Sequence, residues 1–218
     1  TPGVPTASLC PMSDVSHAGP SRGPIARFLG RVFLKVIGWK AVGDFPDMPR
    51  AVFIASPHTS NLDGVIMIAT AYAMGVKLSW MGKKALFKFP LGPILRFFGG
   101  VSVDRSKSSD TVQQIADEFA ARPGMYLAIA TSGTRKKREY WKSGFYHIAV
   151  KANVPLLCGC LDYKRKESGI IGVVYPSGDP VADMDQVRAI YEDRMGRFPE
   201  LMTRVRLRGE DEEQKVAS

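Results

Sequence analysis

The sequence predicts an α/β fold: a mainly parallel mixed sheet flanked by helices, with an N-terminal amphipathic helix. Three observations carry that prediction. First, strand-like runs at residues 51–55, 78–82, 100–104, 125–131, 154–161 and 170–175 alternate with helix-like runs at 61–75, 109–121, 143–152 and 181–195, the order that builds parallel strands joined by crossover helices. Second, apolar residues ahead of that alternation recur at helical steps. Third, 218 residues with 45% hydrophobic content suffice for one sizeable core and exclude wholesale disorder. No internal repeat is present.

Residues 1–22 are rich in Pro, Ser and Gly without periodicity and are expected to be a disordered leader. Residues 23–41 are expected to form a basic amphipathic helix. Ile25, Phe28, Leu29, Val32, Phe33, Val36 and Ile37 follow three- and four-residue steps, and Arg27, Arg31 and Lys35 form a stripe beside them. Such a helix lies in a bilayer interface with its cations at anionic headgroups, or packs on the core with its basic face solvated. Trp39 at its end favours the membrane, as interfacial aromatics do. Residues 42–200 form the principal domain, and 209–218 are expected to be a frayed acidic tail.

The first strand, Ala51-Val52-Phe53-Ile54-Ala55, runs into Ser56-Pro57 and then His58. The chain has three histidines. His17 lies in the leader and His147 in a helix-like apolar run, so His58 is the one placed at a strand-to-helix turn. Asp63, on the first turn of the following helix, can hold one ring nitrogen and leave the other to take a proton from a hydroxyl or amine. The competing reading is local helix capping by the same carboxylate.

Segment 82–98 mixes lysines with bulky apolar groups. With Lys83, Lys84 and Phe87 it reads as a second membrane-facing patch or the wall of an acyl groove, the alternative being a loop over the core with snorkelling lysines. The longest uncharged apolar stretch, Val65–Val76, falls short of the ~18 residues of a membrane span and reads as a buried helix. The chain begins at Thr1 rather than Met, so a missing signal peptide implies nothing. Lys164-Arg165-Lys166 reads as a solvated turn.

A net charge of +9 points to an anionic partner: lipid headgroups, nucleic acid, CoA or acyl carrier protein. Cys10, Cys158 and Cys160 give no disulfide framework, and a reducing compartment follows. Cys158-Gly159-Cys160 resembles half a metal site but lacks a second cluster, and reads as small residues on a strand.

Four blocks in fixed order resemble the glycerolipid acyltransferases, the 1-acylglycerol-3-phosphate acyltransferase (PlsC-like) family. They are His58-x-x-x-x-Asp63, Gly99-Gly100-Val101-Ser102-Val103-Asp104-Arg105, Ser132-Gly133-Thr134-Arg135 after an apolar strand, and Val154-Pro155 opening another. The resemblance covers about residues 38–180 and implies a glycerolphosphate acyltransferase-like fold. It implies an O-acyltransferase of phospholipid biosynthesis that uses acyl-CoA or acyl carrier protein as co-substrate, with no metal and no other cofactor. The acceptor would be a lysophospholipid such as 1-acylglycerol-3-phosphate. It further implies His58 as general base, Asp63 as its partner, and Arg105 and Arg135 as phosphate-holding residues, with Ser132, Gly133 and Thr134 beside the acceptor. The expected partners are an anionic membrane surface, the lysophospholipid and the acyl donor, and not nucleic acid. The expected location is the cytoplasmic side of a membrane, peripheral or monotopic.

Two adjacent positions depart from the family. Its third block is usually Pro-Glu-Gly-Thr-Arg, and Thr131 and Ser132 stand here in place of Pro and Glu, so that one carboxylate is missing. A deliberate substitution, an acceptor other than lysophosphatidic acid (another lyso or an amine acceptor), and a catalytically silent membrane-surface homologue are the competing accounts. A serine hydrolase is disfavoured because no Gly-x-Ser-x-Gly elbow occurs. A nucleic-acid binder is disfavoured because no zinc-finger spacing or RNA-recognition signature occurs.

Overall fold

The computed structural model describes residues 21–103, 108–133 and 136–211. Its centre is a seven-stranded sheet in the order β1-β7-β6-β2-β5-β3-β4. The strands are β1 (Lys40–Val42), β2 (Arg50–Ala55), β3 (Leu78–Lys83), β4 (Gly100–Val103), β5 (Met125–Ile129), β6 (Leu156–Asp162) and β7 (Glu167–Val174). All neighbours pair parallel except β6 with β7, which is antiparallel. The expected mainly parallel mixed sheet is therefore the observed one.

Alternation along the strands divides the core. Val52 and Ile54 of β2 point to one face, packed under α4 (Ser108–Ala121), α5 (Gly144–Ala152) and α6 (Pro180–Tyr191). Ala51, Phe53 and Ala55 point to the other, under α2 (Leu62–Met74). This is the period-two geometry of a strand buried on both sides. Gly159 lies where the Phe53 ring crosses β6: a Cβ there would fall 2.0 Å from the ring. Cys158 and Cys160 flank it, both buried with free thiols. Burial pushes these thiols up to about 12 and about 11, so they are inert at neutral pH.

The amphipathic helix is α1 (Pro24–Val36), with Pro24 at its first position, where a missing N–H costs nothing. It packs antiparallel on α2. The Arg22 N–H bonds to Gly75 O, Gly30 abuts Ala73, and Leu34 joins Ile66 in one cluster. A Cβ on Gly30 would come within 2.4 Å of the Ala73 nitrogen, so glycine is what lets the helices approach. Only Gly30 and Leu34 of α1 are buried. The helix thus packs on the domain by a narrow stripe and keeps most of its apolar face outward.

Several expectations are corrected. Trp39 is not a surface aromatic. It is 8% exposed, in a cluster with Leu34 and Leu161, edge-on to Tyr163. Phe87 is 7% exposed, against Trp80 and beneath the Arg96 guanidinium, so it is core rather than membrane anchor. Of the expected leader, residues 1–20 lie outside the described residues, while Ser21 bridges Val76 and Arg22 lies over the Tyr72 ring. The tail's first residues are not frayed. Glu210 is buried, pairs with Arg188 at 2.8 Å and accepts the Leu207 N–H, since a carboxyl group buried here requires partners. Lys164-Arg165-Lys166 is the solvated turn expected, all three residues exposed, with Arg165 also donating to the buried Asp162 at 2.7 Å. Among the described residues, β1, α3 (Leu91–Phe97) and the short 3-10 turns Lys84–Phe87 and Pro199–Leu201 were not foreseen.

Candidate active site

Strand β2 ends at Ala55, and residues 56–61 turn the chain into α2. The Asn61 side chain does not cap this helix. From inside the first turn, Asp63 instead ties down the chain that enters the helix: its Oδ2 accepts the backbone N–H groups of Thr59 and Ser60, each at 2.7 Å. The same oxygen stands 3.2 Å from His58 Nδ1. The carboxylate thus pairs with the histidine and pins the turn before α2, while the capping expected of it falls to Ser60, whose Oγ accepts the Leu62 N–H at 3.2 Å.

Asp63 is fully buried, while His58 is 20% exposed. With Nδ1 turned to Asp63, the other ring nitrogen is left for a ligand. Burial pushes the Asp63 carboxyl up, but hydrogen bonds with His58, Tyr163 and the Ser60 N–H outweigh it and hold the group below the ordinary carboxyl value of 3.8. A depressed carboxyl contributes stability that is fully present above its unfolded value and is lost as pH falls through its folded value. In acid titrations of the melting temperature, the gap between wild type and Asp63→Asn is therefore expected to narrow as pH falls below 3.8.

Strand β5 lies beside β2 in parallel register, with Ile54 opposite Ile129. The residues following each strand therefore meet at the carboxyl edge of the sheet, where such folds bind ligands. Ser56, Pro57, His58 and Thr59 line a cleft with Thr131 and Ser132. Ser132 is buried in that cleft. Gly133 turns the chain with φ +63°, a conformation that glycine supplies without steric cost. The structure thus brings together His58, Asp63 and Ser132, with Gly133 at the turn beside them. Arg105, Thr134 and Arg135 lie outside the described residues. Of Lys83 and Lys84 only the backbone is described. His147 is exposed on α5, apart from this cleft.

The remaining wall was not visible in the sequence. Arg194, Leu201, Met202, Thr203 and Val205 close the cleft from beyond α6, with Tyr191 and Trp141. Arg194 leans on the buried Asp162 at 3.6 Å and Glu167 at 3.7 Å. Thr59 and Ser60 are tied to the same segment: the Phe198 N–H donates to Thr59 Oγ1 and Arg197 Nη1 to Ser60 Oγ. Tyr163 donates to Asp63 Oδ1 at 2.7 Å. No spacing rule predicts these approaches. The one hint was an aromatic placed among the charges of Asp162-Tyr163-Lys164-Arg165.

Fold and site together define an α/β enzyme with a carboxylate-backed histidine at the carboxyl edge of a mainly parallel sheet. More particularly, the chain belongs to the acyltransferase family: the family described as Acyltransferase matches residues 43–161, more than half the chain. Among solved structures it is similar to the 1-acyl-sn-glycerophosphate (LPA) acyltransferase PlsC from Thermotoga maritima. That likeness has 18% sequence identity and a TM-score of 0.53, over 79% of this chain and 80% of that one. Comparison with curated proteins gave no match. The PlsC-like resemblance read from four blocks is borne out in family and fold.

Proposed function

We propose that this acyltransferase moves a fatty acyl group from acyl-CoA or acyl carrier protein to the hydroxyl of a lysophospholipid such as 1-acylglycerol-3-phosphate, giving phosphatidic acid. The observation that carries the reading is the buried Asp63 carboxylate 3.2 Å from His58 Nδ1 at the mouth of a cleft. His58 takes the proton of the acceptor hydroxyl as its oxygen attacks the thioester carbonyl. The tetrahedral intermediate collapses, the carbon–sulfur bond breaks, and the leaving thiolate takes the proton from the imidazolium. Asp63 stabilises the imidazolium and fixes the ring. The products are an ester and a free thiol, and no acyl-enzyme forms. Arg105 and Arg135 are the residues that the family resemblance assigns to the acceptor's phosphate, where a guanidinium grips two oxygens at once.

The test is thiol release from a long-chain acyl-CoA, with and without a panel of lyso and amine acceptors. Release that depends on one acceptor names the substrate. No release with any acceptor, from protein that still binds vesicles, favours a silent membrane-surface homologue, for which Ser132 in place of Glu is the motivating observation.

The enzyme is further proposed to work as a peripheral or monotopic protein on the anionic, cytoplasmic face of a membrane. Phe28 is 65% exposed and Val36 79% on α1, with Leu62, Val65 and Ile68 exposed on the adjoining α2. The antiparallel packing sets Leu62, next to Asp63, beside the end of α1. An acceptor in the bilayer would then meet His58 directly. Exposed Ile94 and Phe97 on α3 support a second contact. Arg31 and Lys35 supply cations, each worth about 1 kcal/mol near an anionic surface. No helix among the described residues is long and apolar enough to cross a membrane. In co-sedimentation with phosphatidylglycerol vesicles, Phe28→Glu is expected to lower the partition coefficient about tenfold or more. Unchanged binding of Phe28→Glu and of Phe97→Glu would exclude both faces.

A further inference from the structure

We infer that Tyr163 is a positioning residue of this site: its hydroxyl fixes the Asp63 carboxylate so that Oδ2 stays against His58 Nδ1. The inference rests on His58 acting as the base. It concerns a residue just beyond the 43–161 span of the family match.

The two oxygens of Asp63 are divided by function. Oδ2 faces His58 and takes the Thr59 and Ser60 N–H groups, while Oδ1 takes the Tyr163 O–H at 2.7 Å. A carboxylate held at both ends cannot pivot. Tyr163 is itself held from two sides. Its ring stands edge-on to Trp39, centroids 4.8 Å apart, and its backbone N–H donates to Met195 O at 2.9 Å. The residue after α1 and the segment after α6 therefore converge on the carboxylate through one phenol. Burial and the Asp63 carboxylate push that phenol well above its ordinary value, so it remains a donor at every working pH. It orients, and moves no proton.

Among the described residues, the charged and titratable groups around the dyad are Tyr163 from the β6–β7 turn, Tyr191 from α6, and Arg194 and Arg197 beyond it. Tyr191 donates to Gly159 O, and Arg194 is tied to Asp162 and Glu167. Arg197 donates to Ser60 Oγ. Tyr163 is the one of these that donates directly to Asp63.

Tyr163→Phe keeps the ring and removes the bond. With the acceptor identified by thiol release, kcat is expected to fall about tenfold with KM little changed, the signature of lost transition-state support. Freed of one donor and still held by two N–H groups, the carboxylate attracts the imidazolium more strongly. The acid limb of kcat/KM therefore moves to higher pH, and the NMR titration midpoint of the His58 ring signals moves the same way. In an Asp63→Asn background, Tyr163→Phe is expected to add no further loss. Wild-type kcat with an unmoved His58 titration in folded Tyr163→Phe overturns the inference, as does an additive loss in the double variant. If Tyr163→Phe does not fold, 3-fluorotyrosine at 163 retains and strengthens the bond and should move the limb to lower pH, and no movement overturns the inference. The NMR arm needs no turnover. Failure of wild type to release thiol therefore counts against the base assignment alone, while an unmoved titration counts against Tyr163.

Discussion

Thiol release by His58→Ala is expected to fall about 10²–10⁴-fold below wild type, with no matching loss of vesicle binding or melting temperature. The size follows from the division of labour in the cleft. No acyl-enzyme is required, so the hydroxyl must be activated at the moment of attack, and His58 is the described histidine that lines the cleft. The ring is partly exposed, and its removal leaves only the Asp63 carboxylate short of one partner. Two backbone N–H groups and Tyr163 still satisfy that carboxylate, so the fold survives while the proposed base is lost. Activity within about twofold of wild type would remove His58 from the chemistry, since general-base assistance is never that small where proton transfer limits.

How far this arrangement was legible in the sequence depends on how local each part is. His58 and Asp63 lie on one strand–turn–helix unit, so their spacing and the apolar run before them were enough to pair them. The long elements announced themselves by period. Strand β1 did not, because three residues cannot show an alternation. Helix α3 is masked in the sequence by Pro90 and Pro93, because a proline interrupts a helix when it falls in the interior. Both fall at or just inside its start, where backbone N–H groups have no helical partner and proline is tolerated. Trp39 and Phe87 were read as surface because of their neighbours, whereas tertiary contacts decide burial. Tyr163 and Arg194 reach the site only because the β6–β7 pair is antiparallel and α6 returns the chain across the sheet. Neither fact leaves a trace in residue spacing.

Ser132→Glu is expected to raise activity toward a phosphate-bearing acceptor about ten- to hundredfold, the worth of one or two well-placed charge-assisted hydrogen bonds. The family's Glu would stand in the cleft that His58 and Arg194 also line. A carboxylate there can order an acceptor-side guanidinium, leaving it less conformational freedom to lose when phosphate arrives. Against this runs the cost of ionising a carboxylate at a buried position. Arg194, which lines the cleft, offsets part of that cost, because burial of a charge is tolerated where it is paired. The substitution therefore separates two kinds of site by sign. If the cleft is built for phosphate and merely lacks one carboxylate, kcat/KM rises for 1-acylglycerol-3-phosphate and changes little for neutral or amine acceptors. If Ser132 belongs to a different acceptor, the new charge occupies space and field meant for that molecule. Activity toward it then falls, while phosphate acceptors stay flat. A parallel Ser132→Gln variant fills the same volume without the charge, so a gain shared by Glu and Gln would assign the effect to shape rather than electrostatics.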